Sequence, residues 1–108
     1  MPRNFAVQWT KVAEQDLEAI IDYIALDSID KALSILSKLR DEAATLVSMP
    51  HRGRVVPELQ AQGVTGYHEL IVSPWRIIYR IGERQVYVLA VFDSRRNLED
   101  ILLERLTR

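Results

Sequence analysis

Residues 67 to 93 read YHELIVSPWRIIYRIGERQVYVLAVFD, three runs of alternating apolar residues separated only by SP and by GER. Alternation with a period of two marks strands that bury one face. Links this short can join only antiparallel neighbours, since a parallel connection needs about a dozen residues or more. The spacing therefore predicts an antiparallel meander over Tyr67–Ser73, Trp75–Ile81 and Gln85–Phe92. On its middle strand Trp75, Ile77, Tyr79 and Ile81 share one face, and Arg76, Ile78 and Arg80 share the other. Three strands cannot hide their own apolar face, so the rest of the chain must cover it.

The covering elements are legible upstream. In NFAVQWT the residues Phe5, Val7 and Trp9 alternate, which predicts a short N-terminal strand. Thr10 then suits the cap of a helix over KVAEQDLEAIIDYIAL, whose stripe is Ala13, Leu17, Ile20, Ile21 and Ile24. Asp27 or Ser28 suits the cap of a second helix, with a stripe of Ala32, Leu33, Leu36, Leu39, Ala43 and Leu46 ahead of Pro50. So short a link between two helices makes an antiparallel helical hairpin. PHRGRVVPEL and AQGVTG read as loops. Asn97 suits the cap of a last helix over 98–108, with Leu98, Ile101, Leu102 and Leu106 on one stripe and Arg105 and Arg108 near its end. The hairpin is expected to pack on the apolar sheet face, leaving Arg76 and Arg80 on an open one.

The length of 108 residues fits one domain over 1–108, in the α+β class. The chain has no cysteine, which excludes disulfides and thiolate sites and suits a reducing cytoplasm. Only His51 and His68 supply imidazole, so no metal and no cofactor is expected. No apolar run is long enough to span a bilayer, and no secretory leader is evident. The net charge of −1 hides an asymmetry: residues 1–49 hold eight acidic against five basic side chains, residues 50–108 seven against nine. All nine of the latter are arginine, whose planar fork pairs bidentately with carboxylate or phosphate. That excess is too weak for long-range attraction to nucleic acid, so direct nucleic-acid binding is not expected.

The order of these elements, with GRVVPEL, YHELIV, WRIIYRI and a last strand running into Arg95 and Arg96, resembles the RelE/ParE superfamily of toxins from bacterial toxin–antitoxin modules, on the ParE side. Tyr67–His68–Glu69–Leu70 stands where the ParE branch usually has Tyr-Arg-Glu-Leu, so His68 is a departure. The resemblance implies a toxin of the plasmid-stabilisation type that binds and inhibits DNA gyrase without chemistry of its own, neutralised by a cognate antitoxin. The RelE side implies instead a ribosome-dependent mRNA endonuclease. Carried over by position, Arg76 matches its middle-strand arginine and Arg95 the one after the last strand. Its two lysines fall on Tyr67 and Glu69, and its late tyrosine falls near Ile101, which has no acid–base chemistry. RNA cleavage needs a base and positive charge at the phosphate, so the nuclease set is half dismantled.

The target-binding candidates are therefore Arg76, Arg80, Arg95 and Arg96, with Glu58 and Glu69 as supporting ion-pair partners. No catalytic residue is assigned. Were the chain a nuclease, Arg76, Arg95 and His68 would carry it. The bland alternative is that the arginines only form ion pairs across the sheet face, and a further one is an interaction module without toxicity.

Overall fold

The computed structural model describes residues 4–106, leaving aside the side chains of 102–104 and 106. The side chains of the expected stripe positions Leu102 and Leu106, and the whole of Arg108, thus lie outside what the structure describes. The order of elements is β1 (Ala6–Trp9), α1 (Lys11–Ala25), α2 (Ile29–Ala44) with a 3-10 turn at Thr45–Val47, β2 (Arg54–Val55), α3 (Pro57–Ala61), β3 (Tyr67–Val72), β4 (Trp75–Ile81), β5 (Gln85–Asp93) and α4 (Leu98–Leu106). The meander is present and is the middle of a larger, five-stranded sheet of order β1-β5-β4-β3-β2. β1 joins β5 in parallel, and β2 adds a two-residue antiparallel edge to β3.

The helix caps follow the sequence. The Ala13 N–H donates to Thr10 Oγ1 at 3.2 Å, and the Lys31 N–H to Ser28 Oγ at 3.1 Å, each relieving an orphan donor of a first turn. Ser28 rather than Asp27 is therefore the second cap. At α4 the Asp100 N–H donates to Asn97 Oδ1 at 3.2 Å.

The hairpin covers one sheet face. Ala13 and Leu17 of α1 and Leu39 and Ala43 of α2 close over Leu70, Val72, Ile77, Tyr79, Val86, Val88 and Val91. Leu33, expected on the buried stripe, is 55% exposed, because the stripe turns away from the sheet near the hairpin tip.

The opposite face is not open, and here the expectation for Arg76 is corrected. A second core of Val56, Ile78, Ala90, Phe92, Leu98 and Ile101 lies on it, with Leu59 and Tyr67 packed alongside. α3 and α4 supply its cover. The switch is made by β5: Ile78 pairs with Ala90 but Tyr79 pairs with Val88, so Leu89 is an extra residue. This bulge inverts the alternation. Val86, Val88 and Val91 consequently serve the first core, while Ala90 and Phe92 serve the second.

β1 ends opposite Val88, where the Thr10 N–H donates to the Val88 carbonyl at 3.0 Å. Past that point the edge of β5 would hold an unpaired donor, which is costly when buried. Asp16 of α1 takes it: the Val91 N–H donates to Asp16 Oδ2 at 3.0 Å. Arg105 of α4 donates to both oxygens of Asp16 at 2.6 Å, so one carboxylate ties together α1, β5 and α4.

Candidate protein-binding face

Glu69 on β3 and Arg76 on β4 lie deepest, at 1% and 6% exposure. Arg76 Nε donates to Glu69 Oε1 at 2.6 Å, and a second nitrogen, Nη2, contacts the same oxygen. Its Nη1 and Nη2 donate to the two oxygens of Glu58, on the first turn of α3, at 2.6 and 2.8 Å. Arg54 Nε of β2 donates to the other oxygen of Glu69 at 2.6 Å. The Arg76 guanidinium also lies over the Phe92 ring, 5.3 Å from its centroid. Glu58 and Glu69 raise the pKa of Arg76, and Arg76 holds the Glu58 carboxyl below its ordinary range. Both carboxylates converge on Arg76.

GRVVPEL is built for this closure. The Gly53 N–H donates to the Tyr79 hydroxyl at 3.0 Å, and that hydroxyl donates to the Pro50 carbonyl at 2.9 Å. A Cβ at Gly53 would stand 2.5 Å from both Tyr79 Oη and the Glu69 carbonyl oxygen. Only glycine lets the chain pass so close to the sheet. The following Arg54, then Pro57 at the start of α3, bring Glu58 over Arg76.

The remaining arginines are solvent-facing. Arg80 stands on the uncovered end of the second face, between Tyr67 of β3 and Tyr87 of β5 in one cross-strand row. Among the described residues no hydrogen bond or ion pair engages Arg80. Arg95 is 82% exposed in its side chain and bonds Asp93 through Nε at 2.9 Å and Nη2 at 2.6 Å. Those bonds draw the pKa of Asp93 down to about 2. Arg95 and Arg96 border an open groove with Tyr23 and Ile24 of α1 and with Pro74 and Trp75. Arg80 lies near the Ile81 end of β4 and this groove at the Trp75 end, five steps from Arg80, or roughly 17 Å at strand rise. The four arginines thus do not converge on one point.

His68 lies on the first face, as its alternation implies, stacked on Tyr79 with centroids 5.6 Å apart. Burial, then the charge of His51, lowers its pKa, and its buried Nδ1 has no hydrogen-bond partner among the described residues. It is separated by the sheet itself from Arg76, so the two cannot act on one phosphate. Among the described residues no cluster of three or more His, Cys, Asp or Glu side chains could hold a metal ion. Among them, too, no helix is long and apolar enough to cross a membrane.

Around this face, α3 and the role of Asp16 have no signal in the sequence. α3 is five residues long and carries no periodicity of its own. Asp16 reads as a helix-dipole acid, and nothing local signals that it caps a strand.

Solved structures of toxin–antitoxin assemblies contain chains that share this fold. The structure of the chromosomal ParDE toxin–antitoxin system of P. aeruginosa contains a chain that matches with a TM-score of 0.69 and 23% identity, over 84% of this chain and 97% of that one. The toxin–antitoxin complex RelBE2 of Mycobacterium tuberculosis matches with a TM-score of 0.62 and 23% identity, over 83% and 91%. No curated protein matches in sequence. The family model for the ParE toxin of the type II toxin–antitoxin system parDE matches residues 7–98, and the chain belongs to that family.

Proposed function

We propose that this ParE-family chain acts by binding and inhibiting DNA gyrase in the cytoplasm, without chemistry of its own, and that a cognate antitoxin neutralises it. The observation that carries the reading is the state of Arg76. A phosphate-stabilising arginine must offer free donors to the developing charge, whereas three nitrogens of Arg76 are taken by Glu58 and Glu69. Glu69 at the same place would repel a scissile phosphate. Binding then falls to the exposed arginines. Arg95 and Arg96 stand in a groove with Tyr23 and Trp75, and aromatic residues with arginine are the types that dominate interface energetics. Arg80, flanked by Tyr67 and Tyr87, offers a second contact.

The antitoxin partnership rests on family membership and on the two similar structures, both of them toxin–antitoxin assemblies. Expression without antitoxin, followed within minutes by labelling of new DNA and new protein, tests the target. The reading expects DNA synthesis to stop while translation continues. Prompt loss of translation with cut messages would instead favour the RelE-like nuclease, and normal growth a module without toxicity.

A further inference from the structure

The helical hairpin carries a second candidate surface, opposite in sign to the arginines. Residues 11–44 hold eight acidic against four basic side chains. On α1, Glu14, Glu18 and Asp22 recur every fourth residue and so stand on one flank. They wall a groove of about 290 Å³ between α1 and α2, whose floor is Leu17, Ile21 and Leu36. Arg40 closes one end and is neutralised there, donating to both oxygens of Glu14 at 2.9 and 2.7 Å. Among the described residues Glu18 and Asp22 have no hydrogen-bonding or ionic partner. Toward the hairpin tip, Ile29 and Leu33 fall on the same flank of α2 as Leu36 and Arg40, at 67% and 55% exposure.

An apolar channel with one unsatisfied acidic wall selects its occupant by charge. We propose that the groove between α1 and α2 is a docking site for a helix of a partner protein that is apolar along one stripe and bears lysine or arginine beside it. The apolar stripe would cover Leu33, Leu36 and Ile21 while the basic residues meet Glu18 and Asp22, a helix-in-groove mode. An acidic segment, nucleic acid or the same face of a second copy would bring negative charge against negative charge. α1 has fifteen residues and spans about 22 Å, so an occupant of about fourteen residues matches its length. The inference stands apart from the gyrase reading: it concerns the acidic surface and not the arginines.

The probe is an amphipathic helical peptide of about fourteen residues, made only of leucine and lysine, titrated into the isotope-labelled full chain and followed by amide NMR shifts. The expected result is saturable binding with shifts confined to residues 14–22 and 29–40. Affinity should fall about tenfold in the double variant Glu18→Lys/Asp22→Lys and also in Leu33→Glu, all exposed positions whose change leaves the fold intact. The counterpart peptide with glutamate for lysine should not bind there. The proposal is overturned by absence of binding, by shifts centred elsewhere, by equal affinity in the variants, by binding of the glutamate peptide, or by self-association through this groove.

Discussion

Glu69 and Arg76 are diagonal neighbours across β3 and β4: Glu69 faces Ile78, two residues beyond Arg76, and the Arg76 Nε–Glu69 Oε1 bond spans the offset at 2.6 Å. Both side chains are buried, so neither charge can fall back on water. Removing one partner of such a pair strands the other, which costs about 3–5 kcal/mol. Arg76→Ala is therefore expected to lower unfolding free energy by about that amount in urea denaturation, though Arg54 retains part of Glu69. The double replacement Arg76→Met/Glu69→Leu should recover much of the loss, because Glu58 and Arg54 remain exposed enough to be hydrated.

Acid should loosen this network through Glu58. Folding lowers that carboxyl's pKa, chiefly by the Arg76 hydrogen bonds, so the unfolded chain binds the proton more readily there. The contribution is complete above the ordinary carboxylate pKa and is lost as pH falls through the folded value. Denaturation midpoints for the parent chain and Glu58→Gln should differ at pH 7 and draw together as pH falls below the ordinary carboxylate range. A constant difference across that range would contradict the assignment.

The close approach at Gly53 gives a sharper stability test. Gly53→Ala sets a methyl against the Glu69 carbonyl and the Tyr79 hydroxyl, and overpacking of this kind costs about 1–3 kcal/mol. Tyr79→Phe loses the bond to the Pro50 carbonyl and strands the Gly53 N–H, again about 1–3 kcal/mol. Because the two changes strike one contact, their combination should cost less than the sum, measurable by a double-mutant cycle.

Asp16 and Arg105 predict a local rather than a global effect. Asp16→Ala removes the acceptor of the Val91 N–H and the anchor of α4. Hydrogen exchange at Val91 and along 98–106 should accelerate by about tenfold or more, while the amides of β3 and β4 keep their protection. Arg105→Ala should free α4 alone and leave Val91 protected.

The meander, the hairpin and the caps at Thr10 and Ser28 were legible because each depends on local period or local hydrogen bonding. β2 was not, since the two residues Arg54 and Val55 hold no period. The Leu89 bulge was hidden because VLAVF is apolar throughout and fits either face. The same blindness misplaced Arg76: a polar residue at an alternating position reads as solvent-facing, and only the return of α3 and α4 over that face buries it. Glu58 and Glu69 could be named as partners from charge and sheet face, yet their convergence on one guanidinium depends on a tertiary closure that no short window contains.

The central claim, a toxin that binds gyrase through exposed arginines and cleaves nothing, is tested most directly with the purified chain, purified gyrase and relaxed plasmid. The account predicts loss of supercoiling in proportion to added toxin, relieved by Arg95→Ala/Arg96→Ala, while ribosome-bound messages in a translation extract stay intact. Undisturbed supercoiling together with cut messages would contradict it.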